Sequence, residues 1–165
     1  MSGEEVYATF TEGELKAERG RRASLDGRGA AVVTQSGGLL ALMTGVAAFV
    51  KRAVPEALPP LAVMALILAL VFFVGAAACG ILVNFPQIYP YDVADEATMT
   101  KMRIDKRDHS AEEARSVVSH VHIKTVVSLR EGNNRKANFV TAAQVFQILA
   151  LVTVSIAVFV EIVRS

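Results

Sequence analysis

The sequence predicts an all-α membrane protein with three transmembrane helices and a cytosolic helical extension. Three apolar runs, residues 29–50, 61–83 and 139–163, contain no Lys or Arg. Each is long enough to cross about 30 Å of hydrocarbon as a helix. The runs raise the hydrophobic fraction to 53%, which is high for a soluble domain. A buried helical hairpin of a soluble protein is the alternative.

A stripe of small residues links the first run to the charged stretch before it. Positions that alternate by four and three residues are all Gly, Ala, Ser or Thr, and we call them the small-residue stripe: Gly13, Ala17, Gly20, Ser24, Gly27, Ala31, Thr34, Gly38, Ala41, Gly45 and Ala48. Small residues at this spacing let a second helix approach closely. The stripe therefore predicts one helix over residues 11–50, after a loose segment at 1–10.

Within the stripe, the predicted helix-packing positions are Gly20, Gly27, Gly38, Ala41 and Gly45. Half of the residues between 13 and 48 are small, 18 of 36, so coincidence is one alternative. A loose tail punctuated by glycines before the membrane is another, because each Gly in an exposed helix costs about 1 kcal/mol relative to Ala.

The second span follows a short connection. Residues 51–60 are predicted to form an outer loop, and the pair Pro59-Pro60 suits the first turn of a helix, where a missing N–H does no harm. The span itself, 61–83, contains small residues one turn apart at Gly75 and Cys79 and at Ala76 and Gly80. The first two spans are therefore predicted to pack closely as an antiparallel hairpin.

Residues 84–138 are predicted to be a cytosolic helical connection. A short helix follows Asp92, a plausible N-cap, and a second helix returns from Ala111 into the third span. Its 4/3 positions form a second seam: Ala111, Ala114, Val118, Val121, Thr125, Ser128, Gly132, Arg135, Phe139, Ala142, Phe146, Leu149, Thr153, Ile156 and Val160. Residues 117–127 are rich in β-branched side chains and leave a strand as an alternative there, and residues 132–134 could break the helix. The second seam is the predicted parallel partner of the small-residue stripe.

The distribution of basic residues predicts the orientation. Five Lys and Arg precede the first span and nine lie in the long connection, whereas the outer loop has two and the C-terminal tail has one. The positive-inside rule then places the N-terminus in the cytosol and the C-terminus outside. This is the pattern of a multi-pass protein of a bacterial inner membrane.

No pattern of catalytic residues is present in the sequence, so an enzyme is not expected. His109, His120 and His122 do not have the spacing of a metal site, and Cys79 lies inside the second span. Neither a metal nor a cofactor is predicted. The polar residues Gln35, Gln144 and Gln147 lie within spans, where amides bond helices together within a chain or between chains, or line a polar path.

The order of these segments resembles a known family. A basic segment with RRASLDGRGAAVVTQSG, two spans, a long helical connection, NNRKANF and a third span are similar to the small membrane effectors of bacterial cyclic-nucleotide antiphage defence, the Pycsar transmembrane effectors. The resemblance includes two basic-Ala pairs at the membrane edge, Arg22-Ala23 and Lys136-Ala137. It implies a protein that binds a cyclic nucleotide in the cytosol and then damages the inner membrane.

The expected function is therefore a ligand-triggered, membrane-disrupting effector in antiviral defence. It would act in the lipid bilayer as a homo-oligomer and without nucleic acid. The candidates for an anion-sensing rim are Arg21, Arg22, Arg28, Arg135 and Lys136, although lipid headgroups are the usual partners of such a cluster. The alternatives are a structural subunit or scaffold of a membrane complex and a holin-like pore former that needs no ligand.

Overall fold

The computed structural model describes residues 3–53, 58–85, 96–104 and 110–164. They form four helices: α1 (Gly3–Ala53), α2 (Pro60–Asn84), α3 (Glu96–Ile104) and α4 (Ala111–Arg164). All regular secondary structure in these ranges is helical, which confirms the all-α class. The contacts divide the chain into two compact units, unit 1 (Met1–Ser24 and Pro86–Arg135) and unit 2 (Leu25–Phe85 and Lys136–Ser165).

Unit 1 pairs the beginning of α1 with the beginning of α4. Leu15 of α1 is buried against Val126 and Leu129 of α4. Nearer the two N-termini, the hydroxyl oxygens of Thr11 and Ser119 are 3.4 Å apart. Residue numbers thus rise together along both helices, so the two helices run parallel in this unit, as the two seams predicted.

Unit 2 packs the second half of α1 against α2 and α4. One buried cluster joins Leu25, Val83 and Val140, and a second joins Val32, Ala76 and Ala143. From the first cluster to the second, residue numbers rise along α1 and α4 and fall along α2. The predicted antiparallel hairpin of the first two spans and the parallel pairing of the first and third are therefore both present in this unit.

α1 and α2 approach each other closely at Gly29 and Gly80. A Cβ on Gly29 would lie 2.9 Å from the Cβ of Val83 and 3.1 Å from the carbonyl oxygen of Gly80, and a Cβ on Gly80 would lie 2.9 Å from the carbonyl oxygen of Gly29. Real Cβ atoms essentially never come within 3.0 Å of another atom, as the 2.9 Å contacts would require. Glycine is thus required at both positions, and of the small residues in the predicted hairpin Gly80 is the one that makes this contact.

Within the described residues the small-residue stripe faces no other helix of the chain, which corrects the predicted packing face of α1. All eleven of its positions are exposed, and a Cβ on Gly20, Gly27 or Gly45 would meet nothing within 4 Å. The buried positions keep the 4/3 spacing on the other side of the helix: Leu15, Glu18, Leu25, Gly29, Val32 and Ser36. The buried row starts at Leu15, two residues after Gly13, the first position of the stripe. Two residues turn an α-helix by about 200°. Larger side chains supply the buried area that drives packing.

The second seam is displaced by one residue. The buried face of α4 contains these positions: Val126, Leu129, Asn133, Lys136, Val140, Ala143, Ala150 and Ala157. Each follows a predicted position, and one residue turns the helix by about 100°. Thr125 and Gly132 of the predicted seam are therefore still buried, whereas Arg135 is exposed.

The helices are longer and more regular than expected. Residues 3–10, predicted to be loose, belong to α1, and so do residues 11–28, for which a loose tail was the alternative. α4 continues through 117–127 and through 132–134 without a strand or a break. The outer loop is shortened at its start, since α1 ends at Ala53 and α2 begins at Pro60. The predicted beginning of the short helix near Asp92 lies outside the described residues.

Two helices are long and apolar enough to cross a membrane: α2 and the segment Ala111–Val163 of α4. They contain the second and third predicted spans. Among the described residues, α1 is not apolar enough to meet the same condition. Thr34, Gln35 and Ser36 interrupt its apolar half and lower its mean hydropathy.

Candidate functional site: polar contacts between α1 and α4

A buried carboxylate lies at the centre of the polar contacts of unit 1. Glu18 is 7% exposed, and it accepts hydrogen bonds from Arg130 Nε at 2.9 Å and from Asn133 Nδ2 at 2.8 Å. Asn133, which is 1% exposed, also donates to the carbonyl oxygen of Glu18 at 2.9 Å. Arg130 extends the network to Glu14 through a contact of 2.7 Å. These contacts join α1 and α4 in one register.

These contacts keep Glu18 charged. Burial alone would raise the pKa of this carboxyl group, but the hydrogen bonds from Arg130 and Asn133 and the nearby positive charges outweigh burial and lower the pKa. The hydrogen bonds to Glu18 and Glu14 likewise raise the pKa of Arg130. Glu18 and Arg130 therefore both carry a charge at neutral pH, and the hydrogen bond between them is of the stronger, charge-assisted kind.

A second ion pair holds α1 to α4 in unit 2. Lys136 is 4% exposed, and its Nζ donates to Oδ1 of half-buried Asp26. Leu25, next to Asp26, packs in the cluster that contains Val140 and Ala137. An ammonium group so far from water needs a charged partner, because an isolated buried ion costs several kcal/mol. Lys136, predicted as part of a ligand rim, is thus engaged inside the protein.

Further along α1 and α4, the contact is made by uncharged polar groups. Ser36 is fully buried, and Gln147 Nε2 donates to its Oγ at 3.1 Å and to the carbonyl oxygen of Val32 at 3.3 Å. Gln147 therefore bonds α4 to α1, as the sequence predicts for amides within spans, and its partner is Ser36 and not the neighbouring Gln35. Gln35 and Gln144 are exposed, and within the described residues neither side chain makes a hydrogen bond.

The remaining candidates for the anion-sensing rim have different surroundings. Arg21 donates to Asn134 Oδ1 at 3.0 Å and lies 3.8 Å from a carboxylate oxygen of Glu18. Arg135 pairs with Glu131 at 2.7 Å, one turn earlier on the same helix. Arg22 is half-buried and Arg28 is exposed. An anion at Arg21 or Arg135 would therefore compete with a carboxylate or an amide of the chain.

Unit 1 also contains a groove between the first turns of α1 and α4. Its volume is about 310 Å³, and its lining is Ala8, Thr11, Glu12, Ala114, Arg115, Val118, Ser119 and His122. Such a volume is at the lower end of small-molecule sites. This groove could not be predicted from the sequence, because it depends on the register in which α1 meets α4.

The residues that build these contacts were partly missed by inspection of the sequence. Glu18, Asp26 and Asn133 were not candidates, since a charged residue on a helix is usually solvated. The available signal was that Glu18 and Ser36 share the 4/3 spacing of Leu15, Leu25 and Val32. Among the described residues, no three His, Cys, Asp or Glu side chains form a group that could hold a metal ion. No family model matches the chain, and no curated protein or solved structure matches it either.

Proposed function

We propose that this chain is a membrane-disrupting effector of the bacterial inner membrane, in which a cytosolic ligand changes the packing of α1 against α4. The observation that supports this most directly is the set of polar contacts between these helices, made by Glu18 with Asn133, by Asp26 with Lys136 and by Ser36 with Gln147. Well-packed apolar residues can often take the place of a buried ion pair without loss of stability. The polar groups instead give contacts that other polar groups can replace.

The energetics of buried ion pairs favour this interpretation. Replacing a fully buried pair by well-packed apolar residues is often neutral or stabilising, whereas removing one partner strands a buried charge. In the pairs of Glu18 with Arg130 and of Lys136 with Asp26, one partner is partly exposed, so solvent lowers this cost. A contact of this kind is sensitive to any ligand that takes away one partner. In unit 2, the amide of Gln147 and the hydroxyl of Ser36 can each replace their mutual hydrogen bond with a hydrogen bond to water. Groups that line a water-filled path through a bilayer must be able to do this.

The proposal includes three spans, with the C-terminal half of α1 in the membrane beside α2 and α4. The support is that Gly29 and Val32 pack directly on α2 and that Ser36 bonds to α4. A bilayer crossed by α2 and α4 would therefore surround this part of α1 as well. The Lys and Arg distribution supports a cytosolic N-terminus and an external C-terminus.

The proposed trigger is an anion, a cyclic nucleotide by the family resemblance, that binds Arg21 in competition with Glu18 and Asn134. Both present contacts of Arg21 belong to the α1/α4 network of unit 1. A phosphate group offers a guanidinium two parallel hydrogen bonds, so binding would withdraw Arg21 from Asn134 and weaken the pairing of the helices.

The test is the membrane potential of bacteria that express the chain with or without a nucleotide cyclase. The proposal expects depolarisation with the cyclase and none without it. Depolarisation in both cultures would instead identify a holin-like pore former, and a stable potential in both would identify a structural subunit. The variant Arg21→Gln should remove the difference between the two cultures, while Arg19→Gln, an exposed position on the same helix, should preserve it.

A further inference from the structure

The groove between the first turns of α1 and α4 is lined by two opposite charges that do not pair with each other. Glu12 of α1 and Arg115 of α4 are both exposed there. Within the described residues, neither side chain forms an ion pair or a hydrogen bond. Elsewhere in unit 1 facing charges pair directly, as Arg130 does with Glu14 at 2.7 Å and with Glu18 at 2.9 Å. The groove thus offers a ligand both a carboxylate and a guanidinium group.

The register of the two helices explains why these charges stay apart. Thr11 lies beside Ser119, with their hydroxyl oxygens 3.4 Å apart. Glu12 is one residue beyond this level and Arg115 is four residues before it. The two charged residues are therefore offset by about five residues, or roughly 7 Å, along parallel helices. An α-amino acid whose ammonium and carboxylate groups each form a hydrogen bond of about 2.9 Å covers a similar distance.

The size and the charges of the groove favour a small zwitterion. The groove has a volume of about 310 Å³. Since a water molecule occupies about 30 Å³ in the liquid, this volume has room for roughly ten non-hydrogen atoms. Glu12 would repel a simple anion, and Arg115 would repel a simple cation. A neutral molecule that carries both charges is attracted by both residues.

The rest of the lining fits the body of such a molecule. Ala8, Ala114 and Val118 provide apolar surface, which suits an aliphatic side chain. Half-buried Ser119 and His122 add groups that can donate and accept hydrogen bonds. An amino acid with an aliphatic side chain therefore matches the groove in charge, size and polarity.

We propose that the groove binds a small zwitterion of the α-amino acid class, with its ammonium group at Glu12 and its carboxylate at Arg115. A ligand that needs groups of both helices binds only their paired state, and it stabilises that state by mass action. The bound molecule thus strengthens the pairing of α1 with α4 in unit 1. This effect is opposite to the one proposed for an anion at Arg21, which does not line the groove. The site also requires no membrane activity of the chain.

Ligand-observed NMR titration of the full chain in detergent, with L-leucine as the probe, tests the site. L-leucine should bind more tightly than N-acetyl-L-leucine, which lacks the ammonium group, and than L-leucinamide, which lacks the carboxylate. The expected factor is roughly three- to tenfold in each case, because water screens partly exposed charges. Glu12→Gln and Arg115→Gln should weaken binding of L-leucine by the same factor. Glu112→Gln and Arg19→Gln, at exposed positions outside the groove, should bind as the unchanged chain does.

Hydrogen exchange tests the effect on the helices. L-leucine should slow amide exchange on both sides of the groove, in residues 8–15 and 114–126. Binding without slower exchange overturns the stabilising effect. Phosphatidylethanolamine carries an ammonium and an acid group on a lipid, so nanodiscs with and without this lipid form a further arm. Slower exchange caused by the lipid and not by L-leucine would assign the groove to a headgroup and overturn the free amino acid as its ligand.

The remaining outcomes separate this site from the proposed function. No binding of L-leucine, equal binding of the three compounds, or equal losses in the groove and control variants overturns the zwitterion site. None of these results changes the membrane potential expected with and without the nucleotide cyclase. A stable potential in both of those cultures would overturn the effector and leave the groove as a binding site.

Discussion

Glu18 makes the stability of this protein depend on pH. A buried carboxylate with a lowered pKa binds a proton less readily in the folded chain than in the unfolded chain. Its contribution to stability is therefore complete above the ordinary value of 4.5 and is lost as the pH falls through the lowered value of the folded state. Acid should loosen α1 from α4 in unit 1 first.

Hydrogen exchange of α1 and α4 in the full chain checks this prediction. Between pH 6 and about pH 3, amide protection near Glu18 should fall faster than the intrinsic exchange chemistry explains. Glu18→Gln should be less stable by about 1–3 kcal/mol, as expected for a lost charge-assisted hydrogen bond, and its stability should depend less on pH. Glu131→Gln, an exposed position on α4, is the control and should keep the acid sensitivity. Equal acid sensitivity in both variants would contradict the role of Glu18.

At the scale of the element, α1 has two faces with opposite tolerance to substitution. Gly29→Leu should destabilise unit 2 by about 1–3 kcal/mol or more, because a side chain there collides with Val83 and with the backbone at Gly80. Gly27→Leu, two residues earlier, should be neutral or stabilising, since its position is open and Leu is a better helix former. Thermal unfolding of the two variants in detergent measures the contrast, and similar midpoints would refute the assignment of faces.

The same helix shows what could and could not be predicted from sequence. Its existence, its 4/3 periodicity and its parallel partner follow from composition and spacing, and all three are found. The face could not be chosen, because the stripe through Gly20 and Gly38 and the buried row through Leu15 and Val32 have the same period. Buried apolar area decides between them. The buried area depends on the side chains of the partner helix as well as on those of α1.

The ion pairs were harder to foresee than the face. Lys136 was selected as a ligand candidate, yet its ammonium group is buried with Asp26. A lysine in a sequence carries no mark of burial, and only the register of α4 on α1 brings this pair together. Of the three polar residues noted within the spans, Gln147 bonds α4 to α1, and its partner is Ser36 rather than Gln35.

At the scale of the whole molecule, the orientation in the membrane is the first property to measure. A reporter that is active only outside the cytoplasm should be active when fused after Ser165 and inactive when inserted near Ser110, since nine Lys and Arg lie in the connection and one in the C-terminal tail. The reverse pattern would contradict the three-span topology. Activity at both positions would indicate that one of the three predicted spans does not cross the membrane.

The contact of Gly29 with Gly80 has a consequence for how this chain can evolve. At each position the obstacle to a side chain includes a backbone oxygen of the other, so no change at one glycine makes room at its partner. The two residues cannot drift in compensation, as a large and a small side chain in a core can. This close contact would therefore appear in related sequences as two unvarying positions without covariation, and a search for coupled substitutions would pass over it.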